Sequence, residues 1–378
     1  MGAIRPKQVM IIAGEVSGDL HGAQVVKAIR RQRPETVFSG MGGAEMASAG
    51  VEILIDAASL SVMGITEVFT RFRPILFGLR VTKQSLKKKR PDLLILIDFP
   101  DFNLRVAKHA KLLGIPVLYY IGPQIWAWRT GRVKTIKNRV DHMAVIFPFE
   151  VPFFRDNAIA VTYVGHPLLD HEWSRVNVPN NDPFPVIGLL PGSRNQELER
   201  HLPVMLKSMS IINRHFDYAR FIIAPVNKAQ HAFAAAMVKT QNVGGGCEII
   251  EGGARAVFSR CHLVIAASGT VTLEAAIAGV PLVVIYKVAP LSYLLGRIMI
   301  RVNYICLVNL IAGRKIVPEL IQKQASPENI AHEAVTMLKG AGRLDTVRRQ
   351  LSMVQKKLGT GGAADRVAEL ALGMIDAS

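Results

Sequence analysis

Short, continuous apolar runs alternate with longer stretches of helical spacing along the whole chain. The runs Val9–Ala13, Leu93–Asp98, Val117–Tyr120 and Met143–Phe147 predict strands in the first half. Val186–Leu190, Arg220–Ala224, Leu263–Ala266 and Leu282–Tyr286 do so in the second. Their apolar residues are consecutive rather than alternate, which suits parallel strands covered on both faces. Between them, Leu20–Gln32, Leu104–Leu113 and Val271–Ala278 carry the three- and four-residue apolar spacing of helices. Strand and helix in strict alternation build α/β doubly wound sheets.

One segment interrupts the alternation. Asn177–Pro185 (NVPNNDPFP) gathers prolines, asparagines and an aspartate just ahead of a fresh strand. It marks a boundary between two Rossmann-like domains, residues 1–176 and 177–349. Residues 350–378 are expected to form a helical tail. The last stretch predicts helices at Glu328–Leu338, Leu344–Leu358 and Ala363–Met374, with a glycine-rich turn at Gly359–Gly362. No internal repeat or low-complexity segment is evident.

Composition narrows the partners. A chain of 378 residues that is half apolar can bury two cores without staples. Its 46 lysines and arginines against 29 acidic residues leave a formal net charge of +17. Such a balance favours an anionic partner, and a mean hydropathy of +0.26 favours a membrane surface over nucleic acid. Arg71–Arg90 (RFRPILFGLRVTKQSLKKKR) concentrates this character: eight basic residues and no acid, interleaved with Phe72, Ile75, Leu76, Phe77, Leu79, Val81 and Leu86. A basic amphipathic segment of this kind lies on anionic bilayers; the plainer alternative is a solvated helix with an apolar core side. No nucleic-acid signature accompanies it. The most apolar long window, Leu291–Ala312, is broken by Arg297 and Arg301, so no spanning helix is expected. The start of the chain does not read as a secretory leader. Cys247, Cys261 and Cys306 are too scattered for a disulfide framework or a zinc site.

In open α/β sheets, ligands bind beyond the carboxyl ends of strands. Five such strand exits carry candidate chemistry. Gly14–Gly22 (GEVSGDLHG) is either a ligand loop or a plain turn capped by Ser17 or Asp19; His21 reads as helix surface or core. Asp98-Phe99-Pro100-Asp101 puts two carboxylates after a buried strand. Asp101 suits a helix cap, and Asp98 suits general-base duty. Tyr119–Arg129 carries Trp126 and Trp128, a platform for sugar or lipid, or rings that anchor the loop. Pro191-Gly192-Ser193-Arg194 joins a glycine turn, a helix start and a guanidinium into a phosphate site, with Glu197 and Glu199 as partners of the helix dipole. Ser268-Gly269-Thr270 repeats that logic, and Glu274 could accept from ribose hydroxyls.

Taken together, these motifs resemble the lipid-A-disaccharide synthase family (glycosyltransferase family 19). The resemblance runs through GEVSGD at Gly14–Asp19, SVMGITEV at Ser61–Val68, IDFPDFN at Ile97–Asn103, WAWR at Trp126–Arg129, FPFE at Phe147–Glu150 and VGHP at Val164–Pro167. It continues in LLPGSR at Leu189–Arg194, SGTVTLE at Ser268–Glu274, NLIAGR at Asn309–Arg314 and PELIQ at Pro318–Gln322. The chain departs from the family pattern at Gly122, where a serine usually precedes the proline, and in NLIAG for NLLAG.

The resemblance implies a GT-B fold: two Rossmann-like domains, a cleft between them, and a C-terminal helical tail crossing back to the N-terminal domain of the same or a partner chain, the latter making a homodimer. It implies an enzyme that needs no cofactor or metal. The substrates would be an acylated UDP-sugar, UDP-2,3-diacylglucosamine, and an acylated sugar phosphate, 2,3-diacylglucosamine 1-phosphate. The products would be a β-1,6 disaccharide and UDP, formed with inversion. The site would be peripheral to anionic phospholipid on the cytoplasmic face of the inner membrane. In this scheme Asp98 is the leading base, with Glu15 and Asp19 behind it. Arg194 holds the diphosphate, lined by Ser193, Ser268, Gly269 and Thr270; Glu274 meets the ribose and Asn309 closes the donor pocket. Phe72, Phe77, Arg80, Trp126, Trp128 and Arg129 face acceptor or membrane. The rival readings are another UDP-N-acetylglucosamine enzyme of the same fold and a non-catalytic protein that binds sugar nucleotides at a membrane.

Overall fold

The computed structural model describes residues 5–57, 72–127, 130–171, 173, 184–216, 218–241, 246–299 and 302–377. The chain divides into two compact units, Met1–Asp170 with Thr360–Ser378, and His171–Gly359. The SVMGITEV block, Trp128, Arg129, the Phe72 side chain and most of the Asn177–Pro185 boundary lie outside the described residues.

The first unit is a seven-stranded sheet: β1 (Gln8–Ala13), β2 (Val37–Gly42), β3 (Glu52–Asp56), β4 (Leu93–Ile97), β5 (Val117–Tyr120), β6 (His142–Val145) and β7 (Val161–Tyr163). Its order is β3-β2-β1-β4-β5-β6-β7, and every pairing is parallel. β4 is wholly buried, as its unbroken LLILI run dictates for a central parallel strand. The second unit is a six-stranded parallel sheet of β8 (Val186–Leu190), β9 (Arg220–Ile223), β10 (Cys247–Ile249), β11 (Leu263–Ala267), β12 (Leu282–Tyr286) and β13 (Glu319–Ile321). Its order is β10-β9-β8-β11-β12-β13. Both sheets are doubly wound α/β, as the alternation predicts.

The deviations have local causes. β4 stops at Ile97 because Asp98 and Phe99 both adopt positive φ and turn the chain. The first helix starts at Val16 rather than Leu20, with Glu15 as its N-cap in place of Ser17 or Asp19. Phe99, not Asp101, caps the helix Pro100–Leu112; Asp101 pairs instead with Arg132. The unpredicted strands are β2, β3, β7, β10 and β13. They are three to six residues long, and β2 is interrupted by glycine and serine, which blunts the apolar signal.

The unit boundary falls after Asp170 rather than after 176, and the returning segment starts at Thr360 rather than 350. The helix Arg343–Lys357 buries Leu344, Val347, Leu351 and Val354 and packs within the second unit, on the helices Thr270–Ala278 and Leu307–Ala312. Only the helix Ala363–Asp376 belongs to the first unit. It buries Ala363, Val367, Ala368, Ala371, Leu372 and Ile375, and packs on Val16–Gln32. Arg31–Asp365 and Arg33–Asp376 ion pairs border that seam. Asp170 accepts from the N–H groups of Gly362 and Ala363 at the helix start. Arg366 donates to the carbonyls of Val164 (2.7 Å), Gly361 (2.9 Å) and Thr360 (2.9 Å).

Replacing Arg366 with alanine strips three carbonyls of a charged donor. We expect a loss of about 2 kcal/mol of stability, seen as a lower urea midpoint. An unchanged midpoint would mean that apolar burial alone seats the final helix.

Candidate functional site

In a doubly wound sheet, two neighbouring strands whose following connections run in opposite directions leave a crevice at their carboxyl ends. The first sheet has that switch point between β1 and β4, the second between β8 and β11. The two main clusters singled out in the sequence fall at these two places.

At the first switch point, Ala13 is in register with Ile97, so Gly14-Glu15 and Asp98 leave the sheet side by side. Gly14 is required there: a Cβ would stand 2.3 Å from the Phe99 ring. The Asp98 carboxyl is half-buried. It is pushed above the usual carboxylate range, first by burial and then by the Glu15 charge, while the Phe99 backbone N–H pulls the other way. Glu15 is exposed. Asp19 is turned to the backbone of a neighbouring loop. Its carboxylate is buried and accepts from the N–H groups of Gly43 (2.6 Å), Glu45 (3.0 Å) and Met46 (3.1 Å), tying the first helix to the loop after β2.

At the second switch point, Ala266 pairs with Leu190, which brings Pro191–Arg194 and Ser268–Thr270 level on adjacent strands. Ser193, Arg194, Gly269 and Thr270 are exposed at two helix starts, Asn195–Ile212 and Thr270–Ala278. The first start already holds an anion. Glu197 Oε2 accepts from the N–H groups of Ser193 (3.1 Å) and Arg194 (3.3 Å), and Oε1 pairs with the Arg194 guanidinium at 3.0 Å. Gly192, at φ 118°, leaves room for that carboxylate; a Cβ would lie 2.4 Å from Oε2. Glu197 therefore does more than balance a helix dipole.

Two predicted donor-site groups are spent elsewhere. The Ser268 hydroxyl donates to Ile305 O at 3.3 Å, leaving that loop's contribution to Gly269 and Thr270. Asn309 is wholly buried. Its amide donates to Val317 O (2.9 Å) and Glu319 (2.7 Å) and accepts from the N–H groups of Ile316 (2.7 Å) and Val317 (3.0 Å). It locks the entry to β13. Glu274 is half-buried four residues into its helix; burial raises its pKa and nearby Arg255 partly offsets the rise. Arg255 in turn lies 4.8 Å over the Trp173 ring.

Sequence reasoning missed His201. It is buried, bonds Pro191 O through Nδ1 at 2.8 Å, and accepts the Lys287 N–H at Nε2 (3.0 Å). It thus ties the β8 exit to the end of β12. A lone histidine inside a helix carries no signal of that bridge. Likewise His166 of VGHP is buried and accepts the Leu168 N–H. Burial, then His21, lowers its pKa to about 3, which leaves it a neutral structural ring.

Trp126 anchors its loop. Its indole donates to Glu150 at 3.0 Å and meets Phe149 edge-on, and Phe149 stacks on Phe147. Glu150 also accepts the Phe147 N–H at 3.0 Å, and burial raises its pKa to about 7. In the helix Phe72–Lys89, Leu79, Thr82 and Leu86 are buried; Leu76 (56% exposed), Phe77 (65%), Arg80, Lys87 and Lys88 face outward. Among the described residues, no three His, Cys, Asp or Glu side chains converge as metal ligands, and no helix is long and apolar enough to cross a membrane.

The model of the lipid-A-disaccharide synthetase family matches residues 9–368. The chain is 44% identical to the lipid-A-disaccharide synthase of Syntrophus aciditrophicus (strain SB), covering 98% of this chain and 99% of that one. It is 43% identical to that of Geobacter metallireducens, covering 99% of each. Among solved structures it is similar to a UDP-GlcNAc 2-epimerase from Neisseria meningitidis bound to UDP-GlcNAc (TM-score 0.67, 12% identity, 97% and 100% covered). It is also similar to the MurG protein of Acinetobacter baumannii (TM-score 0.57, 14% identity, 97% and 100% covered). These two share the fold; the extended sequence similarity runs to the synthases.

The buried Glu150 makes stability depend on pH. A carboxyl whose pKa rises from 4.5 to about 7 on folding takes up a proton. Between those values, raising the pH removes stability that the protonated group allowed. Relative to Glu150→Gln, the wild type should lose roughly 2–4 kcal/mol as pH rises through that window. Urea unfolding followed by tryptophan fluorescence checks this; parallel pH profiles for the two proteins would refute it.

Proposed function

The chain belongs to the lipid-A-disaccharide synthetase family, and we propose that it joins two acylated glucosamines with the groups assembled at its two switch points. It is a sugar transferase of the lipid-A-disaccharide synthase kind. The donor in this reading is UDP-2,3-diacylglucosamine and the acceptor 2,3-diacylglucosamine 1-phosphate. Asp98 takes the proton of the acceptor 6-hydroxyl. The oxygen forms a bond to the anomeric carbon of the donor from the face opposite UDP, and the bond to the diphosphate breaks. The product is a β-1,6 disaccharide with inversion. Burial first, and then the Glu15 charge, keeps the proton affinity of Asp98 high, which suits a general base.

The observation that carries the donor assignment is the seat of Glu197. Two backbone N–H groups and a guanidinium converge on a carboxylate there, so the same groups suit an anionic diphosphate. The donor would take over the place of that carboxylate. Arg194, 77% exposed, then neutralises the charge that develops on leaving UDP. Gly269 and Thr270 add a second helix start on the adjacent strand, and Glu274 faces the ribose.

The helix Phe72–Lys89 supplies the membrane contact in this reading. Leu76 and Phe77 enter the bilayer interface while Arg80, Lys87 and Lys88 meet anionic headgroups on the cytoplasmic face.

In a detergent assay with both acylated substrates, Asp98→Asn should cut kcat by about 10²–10⁴ and leave UDP affinity alone. Arg194→Ala should weaken UDP binding by about tenfold or more. Full turnover in the first variant, or unchanged UDP affinity in the second, would remove that residue from its role. UDP binding without disaccharide in the wild type would sink the reaction itself.

For the membrane contact, Leu76→Ser with Phe77→Ser should lower co-sedimentation with phosphatidylglycerol vesicles by at least about tenfold at an unchanged melting temperature. Equal binding would place the contact on another surface.

A further inference from the structure

We propose that Tyr119 and Asn103 are positioning residues for the transfer reaction: their side chains together hold the backbone carbonyl of Asp98 and so fix the turn that presents its carboxyl. The inference rests on the reading of Asp98 as the base.

The turn is costly. Asp98 and Phe99 stand in succession at φ 46° and 47°, in the left-handed region. For residues with a Cβ, each such conformation is strained. Glycine would adopt it freely, and the chain uses glycine at many of its other positive-φ corners. Glycine at 98 would remove the carboxyl. A side chain is thus retained where the backbone disfavours one, and such a turn persists only where its surroundings over-determine it.

The surroundings do so at one atom. The Tyr119 hydroxyl donates to Asp98 O at 2.7 Å, and Asn103 Nδ2 donates to the same oxygen at 2.6 Å, which fills both lone pairs. Asn103 Nδ2 also reaches Ile97 O at 3.1 Å. Both side chains are wholly buried. The Asn103 amide is oriented by these carbonyls, since Oδ1 in their place would repel them; Oδ1 itself has no hydrogen-bond partner among the described residues. Leaving a buried acceptor unpaired is destabilising. Packing alone would be served better by apolar residues at both positions, so the two polar groups answer a directional need. The rest of the corner closes around them. The Asp98 N–H donates to Tyr120 O at 3.3 Å, and the Phe99 ring covers Gly14 and stacks on Phe102 at 5.3 Å.

Tyr119 and Asn103 touch no reacting atom in this scheme, so their effect must pass through Asp98. The test is a double-mutant cycle on the full chain, with kcat and both KM values measured in detergent. Tyr119→Phe removes one oxygen and leaves Asn103 still bonded to the carbonyl. It should lower kcat by about 10- to 100-fold, the scale of a misplaced catalytic group, with both KM values within about twofold of wild type. Added to Asp98→Asn, it should cause no further loss. Asn103→Ser, whose shorter side chain cannot reach both carbonyls, should show the same pattern and stands in if Tyr119→Phe does not fold. Undiminished kcat in the folded variants beside a crippled Asp98→Asn would overturn the positioning role alone. So would an equal loss in both backgrounds. Full activity of Asp98→Asn would overturn the base assignment, and this inference with it.

Discussion

Parallel pairing constrains this molecule more than any single contact. A parallel strand can join its neighbour only through a crossover that returns the chain to the starting edge. All strand exits of a sheet therefore gather on one edge. Where successive crossovers part in opposite directions, no helix covers the gap. In the first unit that gap lies between β1 and β4, and in the second between β8 and β11. Register then decides which residues share it: Gly14-Glu15 with Asp98, and Pro191–Arg194 with Ser268–Thr270.

Around both gaps the division of labour follows from which polar groups are already bonded. Asp19, Asn309, Ser268 and His201 spend their hydrogen-bonding capacity mainly on backbone atoms, Asn309 also on the Glu319 carboxylate, and hold the loops in place. Asp98, Glu15, Arg194, Gly269 and Thr270 remain presented at the strand ends. The buried network makes the exposed one precise, since each anchored loop leaves its neighbour a single geometry. The Glu197 carboxylate stands between these roles: it belongs to the helix that follows, yet it occupies the seat of an anion.

Much of this was legible in the sequence, for a physical reason. Strands buried on both faces need unbroken apolar runs, so β1, β4, β5, β8, β11 and β12 announce themselves. The residues after those runs locate the strand ends, and hence Asp98 and Arg194. What stayed hidden depends on distant partners. Nothing near Asp19 shows that three N–H groups from residues 43–46 will close on its carboxylate. Nothing near Asn309 shows that the chain will fold back on it from residues 316–319. A polar side chain in a glycine-rich loop looks the same whether it will face a ligand or the backbone. Tyr119 was equally opaque: as the third residue of an apolar strand it reads as core, and only the turn after β4 gives its hydroxyl a purpose.

The first unit is discontinuous in the chain, since Thr360–Ser378 completes what Met1–Asp170 begins. On a ribosome this imposes an order of assembly. At roughly 5–20 residues per second, the stretch from Asp170 to Thr360 takes on the order of ten seconds or more to emerge. Throughout that interval the nascent Val16–Gln32 helix lacks the apolar face of Ala363–Asp376, and Asp170 lacks the N–H groups of Gly362 and Ala363. The second unit has all its strands before the first can close. The half that bears the proposed base is thus the last to be finished, although it is the first to be translated.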